Sequence, residues 1–216
     1  QSEYCLRFGP ADADRIILIV PPLFDEMNRT RRMVAEAMRG LAKRDVASLL
    51  PDLPGCNEST AALSSQSIES WRRAVSDVAT QLGATHVVSI RGGGLLDDAA
   101  GLPMWRLAPV KGASLLKTLL RARIAADKEA GIVTTAEQLI IEGQHDGLDL
   151  AGHAIGPAML MDLEKAHPVA SDEITEATLT DVAGTALWLR PEPGENPEMS
   201  AALAAHIDRW SAMCGR

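Results

Sequence analysis

The segment His86–Asp98 constrains the fold more than any other part of the chain, because it combines a strand, a sharp turn and a helix. His86–Ile90 is short, apolar and rich in β-branched residues, which predicts a buried strand. Three glycines at 92–94 allow a tight reversal, and Leu95 then opens a predicted helix. This order is the layout of the nucleophile elbow G-x-S-x-G, which exposes a serine above a sheet.

The reactive position of this elbow holds an arginine. The five elbow residues run from Ser89 to Gly93, and Arg91 is the middle one. An arginine does not lose its proton at ordinary pH, so it is not a nucleophile. The sequence therefore predicts a hydrolase-like scaffold without its serine.

Strand-like and helix-like segments alternate along the chain, which predicts an α/β fold with a mostly parallel sheet and helices on both faces. The expected strands are 16–20, 46–50, 86–90, 105–110 and 183–189. The expected helices include 25–42, a second one capped by Ser67, 111–128 and 201–213. The middle region resembles an insertion, so we divide the chain into core 1–110, cap 111–170 and core 171–216.

Composition excludes several classes of protein. The net charge of −8 argues against binding to nucleic acid, which requires a basic surface. The three cysteines are scattered and no metal-binding spacing occurs, so we expect neither a metal nor another cofactor. We find no signal peptide and no membrane-length apolar run, which favours a cytoplasmic protein. The oligomeric state is left open.

Several motifs resemble one bacterial family. Val20–Asn28, Leu49–Cys56 and Ser89–Leu96 are similar to the proteins called exosortase A system-associated hydrolase 2, which also carry arginine at the elbow. Pro109–Gly112 and Leu119–Arg123 fit the middle of the same family. The resemblance covers roughly residues 4 to 190. It implies an α/β-hydrolase fold with an inserted cap, a nominal activity on ester or acyl bonds, and association with an exosortase and exopolysaccharide system.

The catalytic histidine of that fold has no clear candidate. It is expected after the last strand, but the loop Arg190–Pro197 contains no histidine. His206 lies within a predicted helix and is a poor substitute. We therefore expect no serine triad, and fold alone does not establish chemistry.

Arg91 has two interpretations. Its guanidinium, together with the N–H groups of Gly92 and Gly93 at a helix N-terminus, would bind a carboxylate or phosphate. Alternatively, Arg91 pairs with a buried acid such as Asp52 or Glu26 and holds loops together.

Phe24, Glu26 and Asn28 follow the predicted strand 16–20 and are further site candidates. Glu26 could act as a general base toward water, and Phe24 and Asn28 could contact a ligand, since this loop supplies an oxyanion-hole N–H in the fold. The alternative is that Asp25 caps the next helix and that Glu26 improves its dipole interaction.

Cys56 could be a nucleophile if Arg91 supplied a positive charge that lowers its pKa. The alternative, which we favour, is an inert small apolar residue.

The segment Lys111–Lys128 carries a net charge of +4 and is amphipathic. It could touch an anionic membrane or a membrane-bound partner, or it could simply cover the cleft with solvated basic residues. We expect His145 and His153 to be ordinary surface or packing residues.

Two functions follow from these residues. One is an enzyme that uses water activated by Glu26, or Cys56, while Arg91 stabilises negative charge. The other is a catalytically silent protein that binds a small anionic or acylated ligand, or a protein partner, in the same cleft.

Overall fold

The computed structural model describes residues 3–214, and its central feature is a six-stranded sheet of order β1-β3-β2-β4-β5-β8. Strand β1 pairs antiparallel with β3 at one edge, and the other neighbours are parallel. The six strands are β1 Cys5–Phe8, β2 Ile16–Val20, β3 Ala47–Pro51, β4 His86–Ile90, β5 Met104–Leu107 and β8 Thr175–Ala177. The predicted α/β class with a mostly parallel sheet is confirmed.

Helices cover both faces of the sheet. One apolar cluster joins the sheet to α2 and the helices of residues 111–170, and a second joins the opposite face to α1 and α6. The helices are α1 Asp25–Ala42, α2 Ile68–Gln81, α3 Gly112–Glu129, α4 Ala136–Asp146, α5 Pro157–Lys165 and α6 Pro197–Cys214. The helical spacing of apolar residues placed α1 and α2 correctly, because each buries one stripe against the sheet.

The start of α2 agrees with its sequence signal. The Ser67 side chain accepts a hydrogen bond from the N–H of Ser70, and the Ser70 hydroxyl accepts one from the N–H of Ser67. This capping box satisfies two N–H groups that the first helical turn leaves without partners. The predicted cap at Ser67 is confirmed.

Residues 111–170 contain α3, α4, α5 and a hairpin of β6 Leu148–Leu150 and β7 His153–Ile155. The two hairpin strands form a separate sheet. Helix α3 packs against α5 and contributes four leucines to the first apolar cluster, namely Leu115, Leu116, Leu119 and Leu120.

One predicted strand is wrong, and one observed strand was not predicted. Residues 183–189 do not form the last strand, since Leu187–Leu189 is a short 3-10 turn and the sixth strand of the sheet is Thr175–Ala177. The turn buries Leu187 and Trp188 without pairing with the sheet. Thr175 and Glu176 are exposed, so this short edge strand lacks the apolar run that sequence patterns require.

The elbow also ends differently from the prediction. Two 3-10 turns, Arg91–Leu95 and Asp97–Ala100, follow β4 where an α-helix was expected. A 3-10 turn of four or five residues sums fewer aligned peptide dipoles than a longer α-helix does. Among residues 3–214, no helix is long and apolar enough to cross a membrane.

Candidate functional site

Three backbone positions of unusual conformation lie at the carboxyl ends of neighbouring strands. Arg91 directly follows β4 with φ of 54°, and Ala108 directly follows β5 with φ of 45°. Phe24, just beyond β2, has φ of 56°. Residues other than glycine rarely adopt positive φ values, and each residue held in such a conformation costs about 1–3 kcal/mol of stability. Ligands of parallel α/β sheets bind at this edge, which makes it the candidate functional site.

Arg91 is held by several partners at once. Its Nε and Nη2 donate to the two carboxylate oxygens of Glu26 over 3.1 and 3.0 Å, and Nη1 donates to the carbonyl of Ala108 over 3.2 Å. Its guanidinium carbon lies 4.7 Å from the centre of the Trp188 ring. Bidentate pairing and stacking on an aromatic face are the two geometries that arginine favours. The predicted pairing of Arg91 with Glu26 is therefore present, and Asp52 is not its partner.

Glu26 reaches Arg91 from the first turn of α1. The glycine turn brings the two residues together, because a Cβ on Gly93 would lie 2.5 Å from the carbonyl oxygen of Val20. Only a residue without a side chain allows the elbow and the end of β2 to approach so closely. This contact holds the elbow close to the end of β2, and so to the first turn of α1 that carries Glu26.

A cleft of about 240 Å³ opens above this pair. One wall is the inner face of α3, and the other is the start of α1 with the Leu187–Leu189 turn. Its lining combines two carboxylates and two guanidiniums with aliphatic and aromatic side chains: Leu23, Phe24, Asp25, Glu26, Arg29, Arg91, Leu115, Thr118, Leu119, Ala122, Trp188 and Leu189. Such a surface fits a ligand with one polar end and one apolar end.

The cleft does not contain the groups of a serine or cysteine hydrolase. Within residues 3–214, no serine, cysteine or histidine belongs to its lining. The hydroxyl that does line it, that of Thr118, donates to the carbonyl of Ser114 one turn earlier on α3. The fold thus places Arg91 where a nucleophile is expected, and no histidine lines the cleft beside it within the described residues.

Asp25 and Arg29 extend the polar side of the cleft. Asp25 does not cap α1: it is the first helical residue, and its carboxylate lies 2.9 Å from Nε2 of His153. Arg29 donates to the carbonyl of Trp188 over 3.0 Å and lies 3.6 Å from the carboxylate of Asp25. The cap prediction for Asp25 was wrong because Phe24, with φ of 56° and ψ of −134°, occupies the N-cap position and Asp25 is already helical.

His153 and Arg29 were not predicted as site residues. His153 joins the β6–β7 hairpin to α1, and its ring packs edge-on against that of Phe24, with centroids 5.5 Å apart. It is separated from Asp25 by 128 residues, so no spacing pattern could identify this pair. Arg29 could have been found, since it lies one helical turn after Asp25 and on its face of α1.

Of the other residues that were predicted to contact a ligand, some line the cleft and some do not. Phe24 and Glu26 line the cleft, whereas Asn28 is exposed on α1 and is not part of the lining. Gly92 and Gly93 are buried, and a Cβ on Gly92 would meet the side chains of Leu115 and Leu23. They belong to a five-residue 3-10 turn, so the helix N-terminus that was to bind an anion is absent from this part of the described chain.

Cys56 lies outside the lining of the cleft and packs against the first apolar cluster. Burial, together with the negative charges of Asp52 and Glu3, raises the pKa of its thiol to about 12. Asp52 itself accepts hydrogen bonds from the side chain of Asn57 and the N–H of Glu58. A nucleophilic cysteine needs a lowered pKa, so the environment of Cys56 is opposite to the one that the hypothesis requires.

A second arginine–carboxylate pair lies beneath the elbow. Arg106 on β5 donates from Nε and Nη2 to the carboxylate of Asp97 over 2.7 and 2.8 Å, and Ser89 donates to the same group over 2.6 Å. Arg106 also donates to the carbonyl of Val169. Burial alone would lower the pKa of Arg106, but the hydrogen bonds and charge of Asp97 raise it.

Comparison with solved structures identifies the fold. The chain is similar to a thermophilic esterase from Thermogutta terrifontis, with a TM-score of 0.60, 12% identity and coverage of 99% of this chain and 94% of the esterase. It is also similar to mouse alpha/beta hydrolase domain-containing protein 10, with a TM-score of 0.54, 11% identity and coverage of 97% and 94%. At such identities the likeness concerns the fold, which is that of the α/β hydrolases. No protein-family model and no curated protein sequence matches the chain.

Proposed function

We propose that the protein binds a small ligand with an apolar acyl tail and an anionic head in the cleft, and that it does not act through a serine or cysteine nucleophile. The observation that carries this proposal is the position of Arg91. It replaces the nucleophile at the elbow and lines a cleft whose opposite wall is aliphatic. A fixed cation beside an apolar wall recognises an amphipathic acid.

The size of the cleft limits the ligand. Its 240 Å³ equals the volume of about eight water molecules in the liquid. This space fits a ligand of roughly eight non-hydrogen atoms, such as hexanoate. The tail would lie against Leu115 and Leu119 on α3.

The charges of the cleft make Glu26 a competitor of the ligand. Asp25 and Glu26 balance Arg29 and Arg91, so an anionic head must share Arg91 with Glu26 or take its place. Arg29 offers a second cation, since its nearest carboxylate is 3.6 Å away. Neutralising Glu26 should therefore improve the binding of an anion, because Arg91 would lose its present charged partner.

Titration calorimetry with hexanoate tests the proposal. We expect Arg91→Ala to weaken binding about tenfold, as the loss of a charge-assisted hydrogen bond would do, and Glu26→Gln to strengthen it. Arg73→Ala is the matched control, because Arg73 is exposed on α2 and outside the cleft. Equal affinity of the wild type and Arg91→Ala would refute the assignment of Arg91 as the site of the anionic head.

Hydrolysis of an ester or acyl bond is the second candidate function. It is favoured by the position of Glu26, a carboxylate that lines the same cleft and could activate water. In this version Arg91 stabilises the developing negative charge. Both oxygens of Glu26 already accept hydrogen bonds from Arg91, which is why we rank this function second.

Short and medium p-nitrophenyl esters distinguish the two functions. Turnover that is lost in Glu26→Gln but kept in Cys56→Ala would establish hydrolysis by activated water. Turnover lost in Cys56→Ala would instead identify a cysteine hydrolase. No turnover by the wild type would leave the binding function, and the protein would be a catalytically silent member of its fold.

We also propose that the protein serves an exosortase and exopolysaccharide system in the cytoplasm of a bacterium, with contacts at the membrane periphery. The elbow and loop motifs that resemble the exosortase-associated hydrolases support this context. Affinity purification of the tagged protein from its own bacterium tests it. Enrichment of exosortase-system proteins is expected, and their absence alongside a recovered, folded protein would contradict it.

A further inference from the structure

Helix α3 lines two cavities, one on each of two faces. Its inner face lines the cleft described above, and its outer face forms a groove with α4. This α3–α4 groove has a volume of about 420 Å³ and is lined by Ala113, Leu116, Lys117, Leu120, Arg121, Ile124, Ala136, Ile140 and Glu164. The hydrogen-bond partners of Arg91 among residues 3–214 are Glu26 and Ala108, and neither belongs to the lining of the groove.

The floor of the groove is aliphatic. Leu116 and Leu120 form its base, and Ile124 and Ile140 are partly exposed on its two sides. Its volume equals that of about fourteen water molecules. An unbranched chain of about twelve carbons with a small head has a similar number of non-hydrogen atoms.

The rim of the groove is positively charged. Lys117 and Arg121 are one turn apart on α3 and exposed, and in the described chain neither lies within 4 Å of a carboxylate. Side chains at this spacing are neighbours on a helix surface and can bind one anion together. Glu164, on the opposite side, leaves a net charge of one positive unit among the lining residues. This excess is unexpected on a protein whose net charge is −8.

We propose that the α3–α4 groove is a second binding site, for a free single-chain amphiphile with an anionic head, such as a fatty-acid anion. The chain lies on Leu116, Leu120 and Ile140, and Lys117 and Arg121 bind the head. Burial of the chain supplies the affinity, and the two cations select the sign of the head. This site is distinct from the cleft and accepts a longer chain.

Titration calorimetry below the critical micelle concentration tests the proposal, with dodecanoate as the probe. Dodecyltrimethylammonium has the same tail and the opposite charge, and acetate has the head without the tail. We expect one dodecanoate per chain at the groove and much weaker binding of both comparison compounds. Equal binding of the cationic amphiphile would overturn the proposal.

Variants assign the binding to the groove. Replacing both cations, with Lys117→Gln and Arg121→Gln together, should weaken dodecanoate binding about tenfold. Glu164→Gln should strengthen it a few-fold, because it removes the one acid of the lining. Lys128→Gln is the matched control, since Lys128 is an exposed cation of the same helix outside the groove. An unchanged affinity of the double variant would overturn the proposal.

Two further experiments distinguish binding in the groove from binding in the cleft and from binding to a membrane. Arg91→Ala should leave dodecanoate binding at the groove unchanged, and loss of all dodecanoate binding in this variant would assign the ligand to the cleft instead. Flotation with vesicles that contain phosphatidylglycerol tests a membrane source of the anionic head. Flotation that depends on Lys117 and Arg121, without binding of free dodecanoate, would replace our proposal with a membrane contact.

Discussion

Two arginines of neighbouring strands, Arg91 just after β4 and Arg106 within β5, bind carboxylates in the same bidentate way but in different surroundings. Arg91 and Glu26 keep 17% and 12% of their side-chain surface exposed and line a cleft, whereas Arg106 and Asp97 keep 1% and 0%. A buried pair is costly to break, because the remaining charge has neither a partner nor water. A pair at a cleft can exchange its partner for a ligand. Similar contacts therefore serve stability in one place and are available for binding in the other.

The two pairs are connected through the elbow. Ser89 precedes Arg91 by two residues and donates to Asp97, which in turn binds Arg106. The buried pair thus anchors both ends of the glycine turn that carries Arg91. We infer that it supports the strained backbone at Arg91, where φ is 54°.

The largest expected effect is that of breaking the buried pair. Asp97→Asn should lower the free energy of unfolding by about 3–5 kcal/mol, since it removes the buried carboxylate partner of Arg106 and leaves only the half-exposed Glu176, 3.5 Å away. Urea denaturation followed by circular dichroism measures it. Asp98→Asn is the control, because the Arg72–Asp98 pair is more exposed. A loss for Asp97→Asn no greater than that for Asp98→Asn would remove the distinction between buried and exposed pairs.

A smaller effect is expected at the turn between the pairs. Gly93→Ala should cost about 1–3 kcal/mol, because the added methyl group meets the backbone oxygens of Val20 and Pro21 at 2.5 and 2.7 Å. Gly94→Ala is a close control, since its nearest contact is 3.4 Å away. Thermal unfolding of both variants measures the difference. Equal melting temperatures would contradict the close approach of the elbow to the end of β2.

Breaking the pair in the cleft should cost less. Glu26→Gln should lower the free energy of unfolding by about 1–2 kcal/mol, because water and Ala108 can still satisfy part of Arg91. A double-mutant cycle with Arg91→Met gives the coupling energy of the pair. A loss as large as that of Asp97→Asn would make Arg91–Glu26 a structural pair and weaken its assignment to ligand binding.

The smallest effect concerns Cys56, the residue whose pKa the positive charge of Arg91 was predicted to lower. Since its pKa is raised to about 12 from an ordinary value of 9.0, the thiolate is scarce below that pH and increases as pH rises. We expect alkylation of Cys56 by iodoacetamide to be slow at pH 8 and to rise about tenfold per pH unit up to pH 11. Mass spectrometry of the Cys56 peptide measures the rate. Labelling that is already fast at pH 8 and does not increase with pH would show an activated thiol.

The sequence by itself determined the fold class and most of the framework of the site. Strands 16–20 and 86–90, helix 25–42 and the cap at Ser67 were predicted with their observed bounds, because period and capping are local properties. The glycine turn and Arg91 at its tip were also readable, since a sharp reversal has its own residue requirements. The short strand Thr175–Ala177 was missed because three residues without an apolar run carry no pattern.

Only the tertiary structure decided which residues meet at that framework. The sequence left Asp52 and Glu26 as alternative partners of Arg91, and the structure selects Glu26, 65 positions away. His153 pairs with Asp25 across 128 positions, and no sequence spacing indicates that pair. The same holds for Arg106 and Asp97, whose burial distinguishes them from the cleft pair although their chemistry is identical. Local patterns fix where strands and helices begin and end. Partners and burial depend on how these elements pack, and this packing decides what each charge can do.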